Sequence, residues 1–143
     1  MSEPYIIYYE NGNIETKGML KDGKEHGLWT VYDENGQVEL EMNYIDGKED
    51  GKLLEYFENG KVKREENYKD GKLDGKWVYY WENGKIRIDE NYKDDKLDGK
   101  WVSYYENGKP YLVGNYKNGE KDGLWLWYDK NGKVSKEINH EHY

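Results

Sequence analysis

Trp77 to Lys85 reads WVYYWENGK, an aromatic run that ends on an Asn-Gly pair. It returns as WVSYYENGK from Trp101 to Lys109 and more loosely as LWTVYDENGQ from Leu28 to Gln37. A β-branched and aromatic run stopped by Asn-Gly is the sequence form of a strand entering a hairpin, because both residues tolerate the backbone of a tight turn.

The hairpin recurs with a fixed period. Asn-Gly stands at Asn11-Gly12, Asn35-Gly36, Asn59-Gly60, Asn83-Gly84, Asn107-Gly108 and Asn131-Gly132, each 24 residues after the one before. Gly27, Gly51, Gly75, Gly99 and Gly123 form a second series, and Tyr8, Tyr32, Tyr56, Tyr80, Tyr104 and Tyr128 a third. A fourth runs Asn43-Tyr44, Asn67-Tyr68, Asn91-Tyr92 and Asn115-Tyr116, ending in Asn139-His140. Self-similarity at this spacing signals stacked supersecondary units, each burying its apolar side chains against its neighbours. The whole chain, residues 1–143, therefore reads as one repeat domain of about six hairpins, partial at both ends.

A second connection, DGKEHG, DGKEDG, DGKLDG, DDKLDG or NGEKDG, joins each hairpin to the next. Gly at its second and sixth places takes conformations closed to residues with a Cβ. Asp95 replaces the first of these glycines and is expected to keep a positive φ, which Asp tolerates. The fold expected is all-β, an elongated single-layer antiparallel meander of about twelve strands. A two-residue turn at Asn35-Gly36 would pair Asp33 with Val38, Val31 with Leu40 and Trp29 with Met42. This parity makes a buried face from Trp29, Leu53, Trp77, Trp101 and Trp125, from Ile14, Val38, Val62, Ile86, Pro110 and Val134, and from the Tyr44 series. The other face, half exposed, carries Tyr32, Tyr56, Tyr80, Tyr104 and Tyr128 beside Glu41, Glu65 and Asp89.

Composition narrows the function. Hydrophobic residues make up 35% and charged residues 36%, a balance that would suggest disorder but for 16% aromatics, so Tyr and Trp must supply the burial. The net charge of −8 opposes nucleic acid and anionic membranes and favours a basic protein partner. With no cysteine there is neither a disulfide framework nor thiolate chemistry. The N-terminus has no basic leader, and no apolar run reaches transmembrane length, so a soluble, cytoplasmic protein is expected.

The pattern G-x-W-x-x-Y-x-E-N-G-K followed by N-Y-x-D-G-x-x-D-G resembles the MORN repeat, specifically the bacterial variant of the YwqK-like antitoxin family. The resemblance covers roughly residues 5 to 140. It implies a rod of hairpins with a role in protein contacts, some relatives neutralising toxins and others tied to membranes or scaffolds. The acidity of this chain departs from the lipid-binding forms. A looser similarity to the choline- or glucan-binding repeats of bacterial surface proteins implies aromatic cages for a small ligand or glycan.

No cofactor, metal or catalytic residue is expected. Asp94, Lys96, Asp98 and Gly99 fail as a calcium loop at Lys96 and lack the closing Glu, since Tyr105 stands there. His140 and His142 near the terminus read as solvated, Ser2, Ser103 and Ser135 have no partner histidine, and the carboxylate pairs recur as a solvated rim. Trp29, Trp77, Trp101 and Trp125 with Gly27, Gly51, Gly75, Gly99 and Gly123 are read as scaffold. A partner-binding surface is expected at Tyr56, Tyr80 and Tyr104 with Glu41, Glu65 and Asp89 at its rim. Tyr9, Phe57, Trp81 and Tyr105 fill a column that is Asp33 and Asp129 elsewhere, so aromatic surplus peaks in the middle repeats. Self-association through edge strands near Tyr5 and Lys136 is the third possibility.

Overall fold

The computed structural model describes residues 1–141, and His142 lies outside them. The described chain contains fifteen strands and no helix, hence no helix long and apolar enough to cross a membrane. The strands are β1 (Ser2–Tyr8), β2 (Ile14–Lys21), β3 (Lys24–Tyr32), β4 (Val38–Ile45), β5 (Lys48–Glu49), β6 (Gly51–Tyr56), β7 (Val62–Lys69), β8 (Lys72–Leu73), β9 (Gly75–Tyr80), β10 (Ile86–Lys93), β11 (Lys96–Leu97), β12 (Gly99–Tyr104), β13 (Pro110–Lys117), β14 (Glu120–Tyr128) and β15 (Val134–His140). They gather into two compact units, Met1–Lys72 and the remainder from Leu73. The first is ordered β1-β2-β3-β4-β6-β7 with β5 extending the pairing on β4; the second is β9-β10-β12-β13-β14-β15 with β11 on β10. Within each unit every neighbour is antiparallel and, once β5 and β11 are counted with the strands they lead into, next in sequence, as the repeat predicts.

The two-residue strands continue into their successors after a single break at Asp50, Asp74 or Asp98. At Asp50 two residues of β4, Met42 and Asn43, face four between Glu49 and Leu54. The excess is taken up as a bulge in which Gly51 has φ 93°, Asp50 N–H donates to Asn43 O at 2.9 Å and Asn43 Nδ2 donates to Lys52 O at 2.9 Å. Asn91 spans the equivalent bulge to Lys100 O at 2.8 Å. Gly27, Gly75, Gly99 and Gly123 share the positive φ of Gly51, so the Gly27 series marks the bulges, which Asn43 and Asn91 span.

The turn chemistry is the reverse of the expected one. At Asp46-Gly47 both residues have positive φ, 48° and 83°, and Ile45 pairs with Lys48, which is the two-residue type I′ hairpin. At Asn35-Gly36 only Gly36 is left-handed, with φ 86°. There Gly36 N–H donates to Asp33 O at 3.0 Å and Asp33 N–H to Gln37 O at 2.8 Å, the pattern of a type I turn closed by a glycine bulge. That bulge corrects the register: Trp29–Met42 and Val31–Leu40 pair as expected, but Val38 lies opposite Tyr32 instead of Asp33. Every Asn-Gly loop repeats the shift, so Ile14, Val62, Ile86, Pro110 and Val134 likewise face the tyrosine series. Asp33, freed from the ladder, turns its Oδ1 back to accept from Asn35 N at 2.9 Å and Gln37 N at 3.0 Å.

Asp95 has φ 68°, as its place among glycines requires. It is also tied down: its N–H donates to Leu73 O at 2.9 Å, and its carboxylate accepts from Leu73 N at 2.8 Å.

The expected division into one buried and one half-exposed face is also corrected. Trp29, Leu53 and Trp125 are buried on the tryptophan side, but Val78, Val102 and Thr30 are buried on the tyrosine side, while Val38 and Val134 are exposed. A single layer has no second sheet to cover it, so each side chain is covered by residues on flanking strands. The two buried tryptophans are Trp29 and Trp125, whose rings lie over Gly18 and Gly114. A Cβ at Gly18 would come within 2.2 Å of the Trp29 ring, and one at Gly114 within 2.1 Å of the Trp125 ring. Their indole N–H groups donate to Met19 O and Asn115 O, both at 3.2 Å. Tyr5 packs on Trp29 at 5.4 Å and Trp101 on Trp125 at 5.7 Å, one repeat apart in both units. Where Glu90 replaces the floor glycine, the Trp101 indole donates to Glu90 Oε1 at 2.8 Å instead, and Trp101, like Trp77, is only half-buried.

These contacts set the expected cost of substitution. Gly114→Ala must dislodge Trp125 and should destabilise by roughly 1–3 kcal/mol or more, and Trp125→Ala by roughly 3–5 kcal/mol, with Trp77→Ala costing less. An unchanged urea midpoint for Gly114→Ala would show that the ring does not rest on that glycine. Asp95→Gly relieves about 1–2 kcal/mol of backbone strain but gives up a bond worth about 0.5–1.5 kcal/mol, so its unfolding midpoint should barely move. Asp95→Ala keeps the strain, loses the bond and should be clearly destabilised in the same assay.

Candidate functional site

The Asn-Gly loops bring aromatic and acidic groups together at one end of the hairpins in each unit. The type I turn leaves the residues before Asn outside the ladder, so a side chain there is free to cap its own loop or to pack on a neighbouring one. In the first unit, Tyr56 at the end of β6 donates its hydroxyl to Glu41 Oε1 on β4. Together with Val38, Phe57 and Glu58 they line a cleft of about 460 Å³. Burial, then the hydrogen bond and charge of Glu41, push the Tyr56 phenol up to about 12. Lys63 Nζ sits 5.9 Å over the Phe57 ring.

In the second unit the same loop positions, Tyr104, Tyr105 and Glu106, line a cleft of about 490 Å³ with Trp81, Tyr111 and Lys130. Tyr105 meets Tyr111 edge-on at 5.2 Å with planes 71° apart, and its hydroxyl donates to Tyr128 O at 2.8 Å. Arg87 lies 4.7 Å from the Trp81 ring centroid. The Trp81 indole N–H is buried and meets no acceptor. On the other side of Tyr104, a narrower cavity of about 170 Å³ holds Asp89, whose Oδ1 is 3.0 Å from Lys76 Nζ. Burial, followed by the charge of Asp89, raises the Tyr104 phenol, and Lys76 works against them.

The six residues read from sequence as a partner surface thus fall three to a unit. Tyr56 and Glu41 are brought into contact, and Tyr104 is set beside Asp89. Glu65 turns to Lys52 Nζ at 3.8 Å and Asn67 Nδ2 at 3.4 Å. Tyr80 is half-buried opposite Ile86. The rim carboxylates are therefore already engaged with side chains of their own unit. Sequence reasoning noticed Phe57, Trp81 and Tyr105 as an aromatic surplus but missed Tyr111, Glu106 and Lys130. A signal was present: Glu10, Glu34, Glu58, Glu82 and Glu106 hold one loop position until Lys130 breaks the series. Among the described residues no group of three or more His, Cys, Asp and Glu is placed to hold a metal ion.

The model of the MORN repeat variant matches residues 4–22, 25–46, 49–70, 73–94, 97–118 and 121–142. This chain belongs to that family. No curated protein matches it. MORN repeats are in general non-catalytic repeat modules, and the boundaries found here fall at the tight turns from Asp22-Gly23 to Asn118-Gly119, so each MORN unit from residue 25 onward centres on one Asn-Gly loop. The clefts accordingly flank loops of MORN units, and their walls combine recurrent residues such as Tyr56, Tyr104 and Glu106 with positions at which the units differ, such as Phe57, Trp81 and Tyr111.

The Tyr56–Glu41 contact predicts an alkaline transition. The folded-state pKa lies above that of an unfolded tyrosine, so the stabilising contribution is complete below about pH 10 and is lost as pH rises through the folded value of about 12. Ultraviolet titration of tyrosinate should show a late step that Tyr56→Phe deletes and Glu41→Gln moves downward; an unaltered curve for both variants would disprove the contact.

Proposed function

We propose that this MORN protein is a non-enzymatic protein-binding module, a neutralising or adaptor protein of the antitoxin-like kind, acting in the cytoplasm on a basic partner. The observation that carries the reading is the recurrence, in each unit, of an aromatic and acidic cleft at the Asn-Gly loops. Tyrosines supply rigid contact area with a polar tip at low entropy cost, and the net charge of −8 draws a basic protein from solution. Tyr56 with Glu41 and Glu65 is the contact patch of the first unit. Tyr80 and Tyr104 with Asp89 serve the second. Neutralisation on this basis is steric: the bound module covers the partner's working surface.

The test is surface-binding kinetics with a partner recovered from native lysate. Charges at the surface act over about 8–10 Å at physiological salt, so Glu65→Lys combined with Asp89→Lys, which reverses two half-buried carboxylates, should slow association, and added salt should do the same to the parent. Tyr80→Ala should instead speed dissociation. If both variants bind as the parent does, these tyrosines serve only the fold.

A further inference from the structure

We infer that Asn35 and Asn131 are sites of spontaneous deamidation, set apart from the other Asn-Gly loops by the way their turns are capped. The inference concerns a chemical modification of the chain and does not rest on the protein-binding reading.

All six Asn-Gly pairs share the sequence that closes most readily to a succinimide, because glycine places no Cβ against the forming ring. The loops differ in what holds the asparagine side chain. Where the loop opens with an aromatic residue, at Tyr9, Phe57, Trp81 or Tyr105, the asparagine caps the turn itself. Its Oδ1 accepts from the main-chain N–H two residues on. Asn13 donates to Asn11, Lys61 to Asn59 and Lys85 to Asn83, each at 2.9 Å, and Lys109 donates to Asn107 at 2.8 Å. Asn11 and Asn83 are held a second time, since their Nδ2 groups donate to the next loop, at Glu34 O (2.9 Å) and Glu106 O (3.0 Å).

Where the loop opens with Asp33 or Asp129, the cap passes to that carboxylate. Asp33 Oδ1 accepts from Asn35 N and Gln37 N, and Asp129 Oδ1 from Asn131 N and Lys133 N, at 2.9 and 3.0 Å in each loop. The side-chain amides of Asn35 and Asn131 are left in solvent and, among the described residues, meet no hydrogen-bond partner. The glycine N–H donates to the first carbonyl of the loop in all six cases, as Gly36 does to Asp33 O and Gly12 to Tyr9 O, both at 3.0 Å. The attacking nitrogen is thus held alike throughout, and the side chain makes the difference.

The reaction needs only water. The Gly36 nitrogen, as its proton leaves to solvent base, bonds to Asn35 Cγ; the Cγ–Nδ2 bond then breaks, that nitrogen takes up a proton and ammonia departs. Water opens the resulting ring at either carbonyl, giving aspartate or an isoaspartate whose main chain is one methylene longer. No atom is oxidised or reduced. Ring closure requires Cγ to swing onto the glycine nitrogen, so every bond that tethers the amide elsewhere slows it, by about twofold to tenfold for a hydrogen bond of ordinary net strength. At Asn35 the product sets a new negative charge beside Gln37 and Val38, which line the cleft of Tyr56 and Phe57. The isoaspartate form also lengthens a loop whose register depends on one bulge.

The test is to age the intact protein in mildly alkaline buffer, digest it under acidic conditions and follow by mass spectrometry the conversion of amide to acid at each Asn-Gly pair, with isoaspartate counted by enzymatic methylation. Asn35 and Asn131 should convert about tenfold faster than the doubly held Asn11 and Asn83, with Asn107, whose tether is the Oδ1 bond, between them. In urea, where the turns are lost, the rates should draw together. Asp33→Tyr gives this loop the opening residue of the Tyr9 loop and returns the cap to Asn35, so conversion at that site should slow while Asn131 keeps its rate. Tyr105→Asp should release Asn107 and speed its conversion, which tests the capping argument even if Asp33→Tyr disturbs the fold; circular dichroism shows which variants are folded. Equal rates at all sites of the folded parent, an order among the sites that persists unchanged in urea, or an Asn35 rate indifferent to a folded Asp33→Tyr would each overturn the assignment.

Discussion

A single-layer sheet has no opposing layer, and every other feature of this chain answers that constraint. Burial has to be obtained sideways, from the strand before and the strand after, so large side chains with polar tips replace the aliphatic residues of a thick core. Trp125 on Gly114 shows the solution in its most complete form: the ring lies over backbone, its N–H reaches a carbonyl, and Trp101 and Tyr116 close its sides at 5.7 and 5.2 Å. Glu66 shows the compromise. It is buried at the floor position and held by Tyr68 at 2.8 Å, with Arg64 Nε 3.8 Å away. Neighbour-only contacts of this kind make stability a sum of local terms, which is the energetic meaning of the repeat.

The two kinds of turn have separate roles. Asp-Gly turns of type I′ are tight, and each donates an N–H to the preceding repeat, as Gly47 does to Glu25 O at 2.9 Å. Asn-Gly loops are looser by one residue, and the spare position frees the side chains around it from the ladder. Asp33 and Asp129 use that freedom to cap their own loops. Phe57, Trp81 and Tyr105 use it to set rings against Lys63, Arg87 and Tyr111. The clefts thus arise where a structural cap has been exchanged for a ring.

The fold was legible because period, Gly placement and strand alternation are all local properties. Even the positive φ of Asp95 could be read, since its counterparts are glycines. What could not be read was which glycine pair makes the tighter turn. Asn-Gly and Asp-Gly both satisfy type I′, and the choice depends on whether the neighbouring residue also enters the left-handed region, as Asp46 does and Asn35 does not. That one-residue difference moved Val38 to the tyrosine side and undid the assignment of a single buried face. The site was legible only in part. Phe57, Trp81 and Tyr105 stand out from their column, but the pairing of Tyr105 with Tyr111 crosses a bulged loop, and the engagement of Glu65 with Lys52 and of Asp89 with Lys76 depends on side-chain reach.

The loop residue held by Glu58, Glu106 and Lys130 is exposed and needs no positive φ. A change of charge there asks nothing of the backbone and disturbs no packed ring. Sequence drift at this position can therefore retune what a cleft attracts while folding energy stays constant, so an array of near-identical units can diversify its recognition one loop at a time.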